Sequence, residues 1–317
     1  MYQKFFGLRE SPFNVNPDPR YLFLTRQIQE ALAGLTYGIQ NRKGFILLTG
    51  EVGTGKTTLL NRLLDWLHAQ RMSTAYIFNS QLDVPHLFDF MMADFEIPCE
   101  SREKSQVLLR LNHWLLERYR AGETAVLIVD EAQNLSPEVL EEIRLLTNLE
   151  TSTEKLLQIV LTGQPELEEK LKMPQLRQLR QRITLRCHTG ALSLDETFGY
   201  ITERLRIAGA NGDPIFSKEA IQTVHMYSRG IPRVVNLLCE HSMINAYVDN
   251  LRPVPAHMVE DVAREFQLDE VAPILSASPG TSRAQQAANT QSLLENLDEL
   301  LGRLRQVNVV PSRERKS

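Results

Sequence analysis

The stretch that decides the fold is Phe45–Thr58, which reads FILLTGEVGTGKTT. Its first four residues, Phe45–Leu48, are apolar and have the length and flanks of a buried parallel strand. They lead directly into Gly50–Thr57, a complete G-x-x-x-x-G-K-T sequence. Gly53 and Gly55 let the backbone curl so that successive N–H groups face a phosphate, which a Cβ atom would obstruct. The stretch therefore predicts a phosphate-binding loop at the end of a strand.

Two side chains at the end of this loop carry its chemistry. Lys56 supplies a positive charge to the β- and γ-phosphates of a nucleotide, and the Thr57 hydroxyl is placed to coordinate Mg²⁺. Residues 58–67 have a helical pattern, and the N-terminal end of that helix would face the same phosphates. The sequence therefore predicts ATP and Mg²⁺ as ligands. The loop residues expected to bind the nucleotide are Gly50, Glu51, Val52, Gly53, Thr54, Gly55, Lys56, Thr57 and Thr58.

A second apolar run ends in two carboxylates. Ala125–Val129 reads AVLIV, which is typical of a buried parallel strand, and Asp130 and Glu131 follow it directly. Ligands of open α/β sheets bind beyond the carboxyl ends of the strands. We expect Asp130 to belong to the nucleotide site and to hold Mg²⁺ through water beside Thr57. We expect Glu131 to orient and polarise the water that attacks the γ-phosphate.

The next predicted strand, at residues 156–164, ends in polar side chains. A side chain at this position could hydrogen-bond the attacking water or the γ-phosphate and respond to its loss. Gln164 is our first candidate for this role and Thr162 the second. A plain turn after the strand is the alternative interpretation.

A basic run extends over Lys170–Arg186, which contains no acidic residue. An arginine from this run could reach the γ-phosphate of a neighbouring subunit and neutralise charge in the transition state. We expect this role for at least one of Arg177, Arg180 and Arg182. A solvated face, or a surface that binds nucleic-acid phosphates, would have the same composition.

The composition is that of a globular protein. Apolar residues make up 43% and charged residues 23% of the 317 residues, and the length suggests about two domains. The net charge of -4 gives no overall attraction to nucleic acid or to anionic lipid. Cys99, Cys187 and Cys239 lack the spacing of zinc ligands or of a disulfide framework. Because we find neither a signal peptide nor a membrane-spanning apolar run, we expect a cytoplasmic protein.

The remaining patterns divide the chain into segments. Residues 5–25 are rich in aromatic residues and proline and indicate an ordered arm, which either helps to enclose an adenine base or packs on the core. Helical patterns fill residues 193–268, and Gly230–Arg233 begins a helix that directs Arg233 toward a nucleotide. The predicted segments are an α/β core with its arm at 1–190, a helical lid at 191–268, a flexible linker at 269–290, and a short amphipathic helix with a disordered tail at 291–317.

Five of these motifs together resemble those of AAA+ ATPases: GEVGTGKT, the Asp130–Glu131 strand end, LTGQPEL, LRQLRQR and GIPR. The opening FFGLRESPFNVNPDPRYLFL and the run VLIVDEAQNLSPEVLEEIRLLTNLE resemble, more narrowly, the ExeA/GspA-type secretion ATPases and their pilus-biogenesis and exosortase-associated relatives. The resemblance spans about residues 1–268. It implies Walker A at Gly50 to Thr57, Walker B at Asp130 and Glu131, sensor 1 at Gln164, the arginine finger at Arg182 or Arg180, and sensor 2 at Arg233.

The resemblance also implies a fold and a function. The fold is a P-loop α/β domain whose five-stranded parallel sheet is sandwiched by helices, followed by an all-helical lid. The function is Mg²⁺-dependent ATP hydrolysis by a homo-oligomer that acts in assembly of an envelope secretion, pilus or polysaccharide-export machine. Such a protein would lie at the inner membrane through its partners, which the leucine-rich stretch at 291–307 could contact. Secretion members of the family often continue into a transmembrane segment and a periplasmic peptidoglycan-binding domain, and from the sequence pattern we expect neither in this chain.

Two other functions are compatible with the same motifs. One is a DNA-associated ATPase switch of the transposition-helper type, in which the basic run would bind phosphates of DNA. The other is a nucleotide-gated scaffold with low turnover, in which the stretch at 291–307 would be the working part.

Overall fold

The computed structural model describes residues 1–14, 16–78, 82–98 and 103–268. The chain divides into two compact units, of which one is Asn16–Ala191 and the other joins Met1–Val15 to the segment that begins at Leu192. We expected the whole N-terminal arm to belong to the α/β domain. The structure instead groups Met1–Val15 with the segment that begins at Leu192, and we call this second unit the helical unit. Three expected features lie outside the described residues: Cys99, the linker at 269–290, and the helix and tail at 291–317.

A parallel sheet forms the centre of the Asn16–Ala191 unit. Its five strands, counted within the described residues, are β1 (Phe45–Gly50), β2 (Ser73–Ile77), β3 (Ala125–Val129), β4 (Leu157–Gly163) and β5 (Leu185–Thr189). Their order in the sheet is β2-β3-β4-β1-β5. Every residue of β1, β3 and β4 is buried, as the continuous apolar runs of a sheet covered on both faces require. The expected five-stranded parallel sheet is confirmed.

Helices surround this sheet and form all of the second unit's regular structure within the described residues. They are α1 (Tyr2–Phe6), α2 (Arg26–Gln40), α3 (Lys56–Ala69), α4 (Val84–Asp94), α5 (Lys104–Arg120), α6 (Pro137–Leu146), α7 (Pro165–Leu171), α8 (Arg177–Arg182), α9 (Leu194–Ile207), α10 (Lys218–Ser228), α11 (Pro232–Val248) and α12 (Ala256–Glu265). No helix in the described part of the chain combines the length and the apolar character that crossing a membrane requires.

The two faces of the sheet are covered by different helices. Apolar side chains of α2 and α3 pack on one face together with alternate residues of β1, β3 and β4. Those of α4, α5, α6 and α7 pack on the other face with the intervening strand residues. This alternation follows from the period of two in a strand, which sends successive side chains to opposite faces. Because β3, β4 and β1 are parallel neighbours, their carboxyl ends lie side by side at one edge of the sheet, which we call the carboxyl edge.

Local sequence explains where two of these helices begin. The Thr25 side chain accepts a hydrogen bond from the Ile28 N–H, and the Ser136 side chain accepts one from the Val139 N–H. Such caps satisfy N–H groups that have no partner inside the helix. Thr25 and Ser136 are both of residue types that are preferred at this position. The short helices α7 and α8 were not predicted, because one or two turns within a highly charged segment display too little apolar periodicity.

The N-terminal segment is part of the packing of the helical unit. The buried Arg204 of α9 donates from Nε to the Pro12 carbonyl oxygen over 2.6 Å. The buried Phe13 ring meets the Phe216 ring edge to face, with the centroids 6.1 Å apart. A buried guanidinium needs acceptors for its N–H groups, and a carbonyl of the N-terminal segment supplies one. This contact explains why the first residues group with helices that are distant in the chain.

Gly230 sets the start of α11. Its φ is +73°, and its carbonyl oxygen accepts a hydrogen bond from the Leu192 N–H over 2.8 Å. A Cβ atom at position 230 would lie 2.0 Å from the Leu192 carbonyl oxygen. Backbone atoms cannot move aside as the end of a side chain can, so glycine is required here for both its conformation and its size.

We expect Gly230→Ala to destabilise the helical unit by about 3 kcal/mol or more, because a left-handed conformation and a steric conflict with backbone act together. Urea titration followed by circular dichroism measures the change. Gly212→Ala is the matched control: Gly212 also has a positive φ, +107°, but has open space where the Cβ would lie. We expect a loss of about 1 kcal/mol there. Equal losses at the two positions would contradict the steric explanation.

Candidate nucleotide site

The phosphate-binding loop joins β1 to α3. Gly53 and Gly55 have φ values of +79° and +94°, which only glycine adopts without strain. Gly55 is the N-cap of α3, and Lys56 is its first residue. Gly50 lies so close to β5 that a Cβ atom would come within 2.0 Å of the Thr189 Oγ1. The conformation therefore depends on glycine at the positions that the motif prescribes.

The Lys56 side chain is folded back onto the loop. It is only 6% exposed, and its Nζ donates to the carbonyl oxygens of Gly50 over 2.8 Å and Glu51 over 3.1 Å. Burial lowers the pKa of Lys56 below its ordinary value, and the carboxylates of Glu131 and Asp130 act in the opposite direction. The lysine and both carboxylates are therefore electrostatic neighbours, as a single nucleotide site requires.

A threonine of β5 ties the loop to the sheet. The Thr54 hydroxyl donates to the Glu51 carbonyl oxygen over 2.7 Å and lies 2.7 Å from the Thr189 hydroxyl. Both threonines are buried. Sequence reasoning did not identify Thr189, because a threonine at the end of an edge strand belongs to no recognised motif. The structure shows that it holds the middle of the loop.

Asp130 is fixed by groups from three neighbouring strand ends. Its Oδ1 accepts hydrogen bonds from the Thr162 hydroxyl over 2.6 Å and from the Glu131 N–H over 2.9 Å. Its Oδ2 accepts one from the Tyr76 hydroxyl over 2.9 Å. Burial raises the pKa of Tyr76, and Asp130 raises it further, so this phenol remains a donor at neutral pH. Thr162, our second candidate for sensing, therefore orients the Asp130 carboxylate.

Glu131 follows in a strained backbone conformation. Its φ of +50° is uncommon for a residue other than glycine. Its Oε2 accepts from the Gln133 amide over 2.6 Å and from the Gln164 amide over 3.3 Å. The structure thus brings the candidate base and the candidate sensor Gln164 into contact. Gln133 was missed by sequence reasoning, although it stands two residues after Glu131.

The residues at this edge fit a nucleotide with Mg²⁺. Lys56 and the loop N–H groups match phosphate oxygens. Thr57 is exposed on the first turn of α3, and Asp130 presents a buried carboxylate at the end of β3. Hydroxyl and carboxylate oxygens are ligands that Mg²⁺ accepts together with several waters. Val52 and Thr58 belong to the same loop and helix start.

The candidate arginines belong to α8 and α11. Arg182, at the end of α8, is half-buried and donates to the Thr147 hydroxyl. Arg177 and Arg180 are exposed on the same helix. Arg233 is the second residue of α11, in the helical unit, and its role in sensing stays a prediction. Of the two finger candidates, Arg180 is the one whose side chain is exposed.

Known structures share this fold at low sequence identity. Cdc6p from Pyrobaculum aerophilum aligns with a TM-score of 0.63 and 20% identity, over 80% of this chain and 70% of that chain. The ORC2 protein of Aeropyrum pernix aligns with a TM-score of 0.59 and 18% identity, over 81% and 71%. The RuvB Holliday junction branch migration motor of Thermotoga maritima aligns with 0.52 and 14%, over 85% and 82%. These likenesses show the fold alone.

Sequence comparison is more specific. Residues 39–171 match the family described as AAA domain. General secretion pathway protein A of Aeromonas hydrophila is 48% identical over 248 residues, which is 78% of this chain and 45% of that protein. The chain therefore spans about half the length of this curated relative. It belongs to the ExeA/GspA-like family of AAA proteins.

Proposed function

We propose that this protein binds ATP with Mg²⁺ and hydrolyses it as part of an oligomer. The observation that carries the proposal is the meeting of Lys56, Asp130 and Glu131 at one sheet edge, where both carboxylates act on the pKa of the lysine. A phosphate-binding lysine beside a metal-binding carboxylate and a second, catalytic carboxylate is the arrangement that phosphoryl transfer to water uses.

Each group has a defined task in this proposal. The loop N–H groups and Lys56 bind the β- and γ-phosphates, and the lysine exchanges its bonds to the Gly50 and Glu51 carbonyls for stronger bonds to charged oxygens. Thr57 and Asp130 would hold Mg²⁺, the carboxylate through water, and the ion would neutralise phosphate charge. Glu131 accepts a hydrogen bond from the attacking water and orients it toward the γ-phosphate.

We further propose that hydrolysis serves assembly of an envelope machine. The support is the 48% identity to General secretion pathway protein A, whose name refers to secretion. In this proposal the protein works on the cytoplasmic side of the inner membrane and reaches the membrane through partners. The stretch at 291–307, which lies outside the described residues, is the segment we propose as the contact with such a partner.

Lys56→Ala should weaken ATP binding by about 10- to 100-fold, because it removes charge-assisted hydrogen bonds to phosphate. Isothermal titration calorimetry with ATP and Mg²⁺ measures this dissociation constant. Lys43→Ala is the matched control, since Lys43 is exposed just before β1, and its affinity should equal that of the wild type. Equal weakening by both substitutions would contradict the role of Lys56.

Glu131→Gln should retain ATP affinity and lose turnover by about 100-fold or more, because the amide cannot accept a proton from water. Phosphate release under saturating ATP is the measurement. Glu169→Gln removes an exposed carboxylate on α7 and should leave turnover unchanged. Undiminished turnover by purified Glu131→Gln would contradict the assignment of the base.

Arg180→Ala should lose turnover that a neighbouring subunit can restore. A mixture of Arg180→Ala with Glu131→Gln places an intact arginine beside an intact Glu131 in part of the oligomers, so turnover should exceed that of either variant alone. No recovery over a range of mixing ratios would contradict action in trans. Salt-sensitive binding of DNA that stimulates wild-type turnover, with the binding lost when Arg177, Arg180 and Arg182 are changed to Glu, would instead favour the DNA-associated switch.

A further inference from the structure

Two amide groups converge on a single oxygen of the Glu131 carboxylate. The Gln133 Nε2 lies 2.6 Å and the Gln164 Nε2 3.3 Å from the Glu131 Oε2. Oε1 accepts from neither of these amides. Because the two oxygens of a carboxylate are fixed relative to each other, donors that hold Oε2 also set the direction of Oε1. The carboxylate is thereby oriented rather than free to rotate among rotamers.

The orientation of the Gln133 amide is itself determined. Its Oε1 accepts a hydrogen bond from the Gln164 backbone N–H over 3.1 Å. A backbone N–H can only donate, so the oxygen of the amide must face it and the NH₂ group must face Glu131. Gly163 provides the space, since a Cβ atom there would lie 2.6 Å from the Gln133 Oε1. The amide therefore bridges the start of α7 and the candidate base.

The backbone that carries these groups is held from the same helix. Lys170, near the end of α7, donates from Nζ to the Gln133 carbonyl oxygen over 2.8 Å and also to that of Leu135. The strained φ of Glu131 persists only where the surroundings maintain it. Contacts from both ends of α7, at Gln164 and Lys170, supply that support to the turn after β3.

We propose that Gln133 is a positioning residue that sets the Glu131 carboxylate for hydrolysis. Its NH₂ group holds Oε2, so that Oε1 is directed to the attacking water, while its own oxygen is anchored to the start of α7. The proposal rests on the proposed ATP hydrolysis, in which Glu131 is the base. Gln133 itself contacts neither nucleotide nor water in this role, and its effect is transmitted through Glu131.

A double-mutant cycle tests this role. Gln133→Ala should lower kcat by about 10- to 100-fold, while KM and the dissociation constant of ATP change less than about twofold. Made in the Glu131→Gln protein, the same substitution should cause no further loss in single-turnover rate, because the group it acts on is already absent. Gln178→Ala, at an exposed position of α8, is the control and should behave as the wild type. Equal losses in both backgrounds, or a wild-type kcat for Gln133→Ala, would overturn the proposal.

A measurement without turnover separates this proposal from the proposed function. In nucleotide-free protein labelled with ¹⁵N-glutamine, the side-chain amide signal absent from Gln133→Ala identifies Gln133. Glu131→Ala should shift that signal and speed its exchange with solvent, because the amide loses its acceptor. An unchanged signal would overturn the contact on which the positioning role depends. Undiminished turnover by Glu131→Gln, with the signal shifted as expected in Glu131→Ala, would reject the base assignment and the role of Gln133 in hydrolysis together.

Discussion

The arrangement of the candidate nucleotide site depends on the buried carboxylate of Asp130. Burying a carboxylate costs several kcal/mol, and each hydrogen bond to a charged group returns about 1.5–3 kcal/mol. The donors from Tyr76, Thr162 and the Glu131 backbone together offset that cost. Since β2 and β4 flank β3, the carboxylate is satisfied only when these strands pair in the observed register. The strand pairing that forms this part of the sheet therefore also positions the Asp130 carboxylate.

The residues after β3 show how a catalytic geometry is maintained against local preference. Glu131 has a left-handed backbone, which costs of order 1–3 kcal/mol for a residue other than glycine. Gln133 and Gln164 donate to its side chain, and Lys170 of α7 donates to the following backbone. The end of β4 and the helix that follows it thus support the turn at the end of β3. The short helix α7 therefore contributes to the site through the residue that precedes it, Gln164, and through Lys170.

The helical unit illustrates the same dependence on distant contacts. Its first segment comes from the beginning of the chain, held by the buried Arg204 and by the packing of Phe13 on Phe216. A buried arginine without acceptors would be strongly unfavourable. The N-terminal residues are therefore a structural part of this unit.

The sequence by itself determined the phosphate-binding loop, the strand that carries Asp130 and Glu131, and the parallel sheet, because each depends on residue types at fixed local spacing. The polar end of the predicted β4 strand also singled out Gln164. Only the tertiary structure decided that Tyr76, Gln133 and Thr189 complete the site, and that the first residues pack with the helical unit. These contacts join side chains that are far apart in the chain or whose orientation is set by a distant N–H group. Local sequence patterns do not predict which distant residues will contact each other. The same side chains would form hydrogen bonds with water if the strands were not side by side.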